Sequence, residues 1–213
     1  MAGQTMNLRW PSEVAASVLA GALSGVTGGL LFATLHALII VPIWDRITGG
    51  LIFGAVAGAG AGWAFAECYP DAVRERTNKG VLKGVLFGAL LWIAVSPVTA
   101  ADALLRATGL APRYELLAVA VAVVLAVAGG ATLGWLLTRR RRPAIAGAVA
   151  GLLLIVAMAG PVPVGRGPRA RNIFIAVFPA AILGGAALGL FAPAIFARIT
   201  RGRAREPGDR SDV

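Results

Sequence analysis

His36 is the one histidine of the chain. It falls inside an apolar run, 15–41, where an ionisable side chain is costly and marks a candidate site for a proton, a metal or a haem. Thr34 shares that run, and Ser96 and Thr99 close a later one, so the four form a candidate polar site among otherwise apolar segments. Metal chemistry needs three or four converging ligands. The sequence offers no second histidine and no carboxylate pair at helical spacing, so no metal and no cofactor is expected. The competing reading of His36 is a neutral ring hydrogen-bonded to a neighbouring helix.

A second group, Glu67, Cys68, Asp71 and Arg74, gathers where an apolar run ends. Its carboxylates could bind a cation or face a partner protein. The structural alternative pairs them with Arg74, Arg76 or Lys83 at a solvated segment end. Cys68 is alone, which excludes an intramolecular disulfide. Four consecutive arginines, Arg139, Arg140, Arg141 and Arg142, suit anionic lipid headgroups, and they also fix topology. Arg166, Arg169 and Arg171 make a further basic loop. No phosphate-binding loop, nucleophile elbow or paired catalytic carboxylate occurs, and an enzyme is not expected.

What must position these residues is a set of apolar helices. Of 213 residues 58% are hydrophobic and 14% charged, and the mean hydropathy is +0.79. Soluble domains carry about 25% charged residues, and apolar stretches of about 20 residues mark membrane spans. Six runs are legible, at 15–41, 47–66, 81–99, 116–138, 143–164 and 173–197. The expected fold is therefore all-α: a polytopic integral membrane protein built as a six-transmembrane-helix bundle. A cytoplasmic segment, 1–12, precedes the transmembrane domain, 13–200, and a disordered cytoplasmic tail, 201–213, follows. Between the runs, a short surface helix is expected after Pro70 and an interfacial helix within 99–115. Asn172 is expected to cap the last span, and Pro179 and Pro193 to kink or shorten it.

Glycines recur four apart on these runs: Gly21, Gly25 and Gly29 on the first, Gly50, Gly54, Gly58 and Gly62 on the second. Small residues at this spacing let helices approach closely, which separates them from dinucleotide fingerprints that follow a strand. Glycines begin each odd span and a Gly-x-x-x-Gly pattern recurs in each even one. This predicts three repeated helical hairpins of one orientation.

Basic residues set the orientation. Arg9, the cations of 74–83, Arg139 to Arg142 and those from Arg198 onward fall on one side. Arg46, Arg106, Arg113, Arg166, Arg169 and Arg171 fall on the other. The richer side is cytoplasmic, so the expectation is a multi-pass cell-membrane protein with both termini inside. The net charge of +10 is explained by these segments, and without a basic stripe carrying interleaved aromatics no nucleic-acid partner is expected. The expected partners are the lipid bilayer, anionic headgroups, and other membrane subunits or a second copy.

Apart from His36 and the boundary residues Glu67 and Lys83, the runs hold no charged side chain. Ion-coupled carriers place such groups at mid-membrane, which disfavours that class. The function expected first is a non-catalytic accessory or scaffolding subunit of a membrane complex. The alternative is a small passive permease, with Ser24, Thr27, Thr34, His36, Ser96 and Thr99 along its path.

Overall fold

The computed structural model describes residues 12–40, 44–74, 78–98, 115–159 and 169–204, and within them leaves out the side-chain surroundings of 31–40, 44–50 and several shorter stretches. Among the described residues the chain is all-helical. The helices are α1 Ser12–Ile40, α2 Trp44–Cys68, α3 Pro70–Arg74, α4 Asn78–Val95, α5 Glu115–Thr138, α6 Arg141–Ala159 and α7 Arg169–Ala204. Among the described residues two stretches, Val119–Thr138 and Phe178–Arg201, are long and apolar enough to cross a membrane.

Several boundaries differ from the sequence reading. Helix α7 begins at Arg169, so Asn172 lies inside it rather than capping it, and Arg169 and Arg171 belong to its first turn instead of a loop. It runs unbroken past Pro179 and Pro193 to Ala204, entering the expected tail. A proline removes one backbone bond and crowds the preceding turn, yet the helix continues through both. Helix α3 forms after Pro70 as expected, yet its Ala72 and Val73 are buried, not superficial. The interfacial helix expected within 99–115 lies outside the described residues.

Six long helices close a circuit. Helix α1 packs against α2, α2 against α6, α6 against α5, α5 against α4, α4 against α7, and α7 against α1. Glycine makes four of these contacts intimate, the α4–α5 contact through Gly129 against Ala94 and three others through paired stripes. Gly21 meets Gly58 and Gly62, Gly25 meets Gly54 and Gly58, and Gly62 meets Ser17. Gly130 meets Gly147 and Gly151, Gly134 meets Pro143, and Gly151 meets Ala126. Gly84 meets Gly185, Gly88 meets Ala181, and Gly189 meets Gly80. At each of these contacts a Cβ would strike the partner's backbone, which has no flexible side chain to yield. The helices can sit this close only because hydrogen replaces a methyl group.

These contacts overturn the three-hairpin repeat. Of the expected hairpins, α1 with α2 is tightly packed, but α4 with α5 meets far less extensively and α6 with α7 is not among the packed pairs of the described residues; the other glycine pairs join α5 to α6 and α4 to α7. A different internal order replaces it. Exchange Ser17, Gly21 and Gly25 for Ala126, Gly130 and Gly134; exchange Gly54, Gly58 and Gly62 for Pro143, Gly147 and Gly151. Exchange also Gly80, Gly84 and Gly88 for Ala181, Gly185 and Gly189, and the same contacts return. The repeating unit is three helices, α1-α2-α4 against α5-α6-α7.

The interior is filled by small residues and a few large ones, chiefly Trp92, Phe65, Phe87, Val73 and Val95. Leu23 on α1, Ile52 on α2, Ile93 on α4, Val124 on α5, Ile145 on α6 and Leu183 on α7 are all more than half exposed.

Candidate functional site

Of the four polar side chains expected at one site, Ser96 alone has described surroundings. Ser96 Oγ donates to the Ile93 carbonyl at 2.7 Å, just beyond the end of α4. Ser24 Oγ donates to the Ala20 carbonyl at 2.7 Å and Thr27 Oγ1 to that of Ser24 at 2.7 Å. Each hydroxyl serves its own helix, the usual way of satisfying such a group in apolar surroundings. His36 and Thr34 belong to α1, but their side-chain surroundings, like the whole of Thr99, lie outside the described residues. Among the described residues no group of three His, Cys, Asp or Glu side chains stands close enough to hold a metal ion.

The charged side chains gather at the end of the bundle where α2 finishes, α3 lies and α4 begins. Here the expected cluster is rearranged. Arg74 does not take Glu67 or Asp71; its guanidinium reaches across to Glu13 at the start of α1, 3.0 Å away. The helix α3 turns Arg74 back toward α1, which places the two side chains together. An exposed pair of this kind contributes under about 1 kcal/mol. Beneath it Phe65 and Phe87 stack edge to face at 5.6 Å, and Tyr69 stands perpendicular to Phe87 at 6.3 Å. Lys83 Nζ lies 5.8 Å from the centre of the Tyr69 ring, a cation–π contact.

Cys68 sits between these groups, just beyond the apolar run 47–66. Burial, and then the charge of Glu67, push its thiol up to about 12. A thiol so poised stays protonated at neutral pH, which makes it a poor nucleophile and a poor metal ligand. The Tyr69 hydroxyl is also raised, by burial first and then by Cys68.

Arg139 and Arg140 form the turn between α5 and α6, and Arg141 and Arg142 open α6. Arg139 has φ 58°, a left-handed residue closing the helix, and its N–H donates to the Trp135 carbonyl at 2.6 Å. A non-glycine residue in this conformation costs roughly 1–2 kcal/mol, offset in part because its guanidinium lies over the Trp135 ring at 4.4 Å. Thr138 Oγ1 accepts from the Arg140 N–H at 3.3 Å, tying the turn. Arg139 to Arg142 are all exposed, and Pro143, in the first turn of α6 where its missing N–H is harmless, is buried near Gly134.

Sequence reasoning named these cations separately and missed their aromatic partners. The spacing of Trp135 four residues before Arg139 carried the signal for one pair. The Lys83–Tyr69 pair joins α4 to the link between α2 and α3 and left no local trace.

Of the glycines expected at packing faces, Gly21, Gly25, Gly54 and Gly58 meet across α1 and α2. Gly29 and Gly50 belong to the same helices, beyond the portion whose surroundings are described. No family model, curated protein or solved structure matches the chain.

Proposed function

We propose that the protein is a multi-pass integral membrane protein with six crossings and both termini cytoplasmic, acting as a non-catalytic scaffolding or accessory subunit of a membrane complex. The observation that carries this reading is the inversion of the usual burial pattern. Each of the six long helices turns large aliphatic side chains outward, while glycine, alanine and serine occupy the contacts between helices. Exposed aliphatics on every side are a liability in water and are at home in a bilayer, where small residues mediate helix association. The apolar runs of the sequence supply the length for six crossings.

The test is extraction and co-purification from native membranes. The protein should stay in the pellet through an alkaline carbonate wash and leave it only with detergent, and in mild detergent it should bring a defined partner. Release by carbonate would overturn the membrane reading, and repeated isolation as a lone monomer would overturn the scaffold.

One observation favours a second reading, a small passive permease. With six crossings, two three-helix units exchanged by the contacts described above run in opposite directions through the bilayer, an arrangement common among transporters. The serine and threonine hydroxyls spent on their own helices weigh against a continuous polar path. Solute flux into liposomes carrying the purified protein separates the two readings.

A further inference from the structure

We infer that Phe65, Tyr69 and Phe87 form a wedge that holds the protein in one of two conformations, the other being reached when the two three-helix units exchange roles. The inference stands on the contacts between helices and needs neither the direction in which they cross a bilayer nor a partner subunit. It starts from how far the two units correspond. Continuing the register of the glycine contacts, Leu23 and Ser24 on α1 match Thr132 and Leu133 on α5, while Leu82, Lys83 and Phe87 on α4 match Leu183, Gly184 and Leu188 on α7. Exposure keeps that register. Leu23 and Thr132 are both exposed, as are Leu82 and Leu183; Ser24 and Leu133 are both buried, as are Phe87 and Leu188.

The contacts between the units depart from it. Helix α7 lies along α1 over a considerable length, and a Cβ added at Gly184 would stand 3.7 Å from the Ser24 carbonyl. The matching approach would set Lys83 of α4 beside Leu133 of α5. Instead α4 meets α5 much less extensively, and its close approach is Ala94 against Gly129, at the opposite end of α4 from Lys83. Lys83 turns to the Tyr69 ring.

The aromatic cluster accounts for the difference. Helix α2 touches both α4 and α5, and near its end Phe65 packs edge to face on Phe87, with the Tyr69 ring 5.6 Å from Phe65 and 6.3 Å from Phe87. In the second unit the places of Phe65 and Phe87 are taken by Leu154 and Leu188, and α6 is not among the packed partners of α1 or α7 in the described residues. A close-packed interior cannot take up the larger volume of a ring without moving a neighbouring element. The rings hold α4 off α5, and the leucines let α7 settle on α1. Because the glycine seams of the two units are alike, the chain has a second arrangement of similar packing, with α4 settled on α5 and α7 held off α1. Packed interfaces change between discrete arrangements of this kind rather than deforming continuously. Repeats that rock against one another give alternating access in transporters, so an observed exchange would favour the permease reading over the scaffold.

Double electron–electron resonance on the purified full-length protein tests the wedge. Spin labels are placed at L82C/T132C, across α4 and α5, and at the matching L23C/L183C, across α1 and α7, each in a Cys68→Ala background. In the otherwise wild-type protein the L82C/T132C distance should be the longer of the two. F65L/F87L should shorten it toward the L23C/L183C value and lengthen the L23C/L183C distance in an equal fraction of molecules. The milder F87L should move both distances in the same directions by less, which keeps the test standing if the double variant does not fold. Equal distances at the two pairs before the wedge is removed, or unchanged distances in the folded variants, would overturn the wedge. Shortening across α4 and α5 with no change across α1 and α7 would overturn the exchange. Failure of the membrane reading would show separately, as release of the protein by carbonate.

Discussion

The hydroxyl of Ser17 is buried in the contact between α1 and α2 and finds no hydrogen-bond partner. Its counterpart in the second half is Ala126, which fills the same place against Gly151 without a polar atom. A buried unsatisfied group costs about 1–3 kcal/mol, so Ser17→Ala should stabilise the protein by about 1 kcal/mol in a detergent unfolding titration. Cys68 yields a second residue-scale outcome. Its folded thiol titrates near 12 against an ordinary value of 9.0, so the native state holds the proton more tightly than the unfolded chain. The stabilising contribution is complete below pH 9 and is lost as pH rises toward 12. Alkylation by iodoacetamide at pH 8 should accordingly be far slower in the native protein than in dodecyl sulfate. None of this was visible in the sequence. Ser17 reads as one more small residue on a glycine-bearing helix, and a lone cysteine next to a glutamate gives no sign of how deeply it is covered.

At the scale of helices, the four-residue glycine spacing disclosed which elements carry a bare face but not which faces meet. Gly21 and Gly58 follow one another across a short connection, and proximity in sequence pointed to the right partner. Gly84 and Gly185 are separated by two whole helices, and no local pattern distinguishes that pairing from α4 with α5. A Cβ at any of these glycines meets backbone rather than a yielding side chain, and overpacking of this kind costs typically 1–3 kcal/mol. Gly58→Ala and its counterpart Gly147→Ala should therefore lower stability by similar amounts in that range. Gly184→Ala, whose added methyl would stand 3.7 Å from the Ser24 carbonyl, should have little effect. Equal tolerance at all three positions would contradict the packing. Helix ends were less legible. Arg169 was placed in a loop by its glycine- and proline-rich surroundings, though three arginine and alanine residues there extend α7 by one turn.

For the whole molecule the all-helical class followed from composition, because apolar runs this long with so few charges leave little else. The orientation of the chain rests on its basic segments, and it is checked with a membrane-impermeant maleimide. Single cysteines introduced in 1–12 and in 205–213, in a Cys68→Ala background, should both react only after the cytoplasmic face is opened. Reaction of either tail from outside would reverse or break the proposed topology. The arrangement of two three-helix units was not legible, since their sequences share little beyond the small residues at the contacts, and only the pairing of Gly130 with Gly147 and of Gly84 with Gly185 discloses it.

That pairing makes the molecule unequally vulnerable. The touch of Gly21 on Gly58 has a twin in Gly130 on Gly147, so damage to one leaves the other standing. Gly84 against Gly185 has no twin, because swapping the halves returns it to itself. A bulky side chain there loosens both triplets from a shared pivot at once.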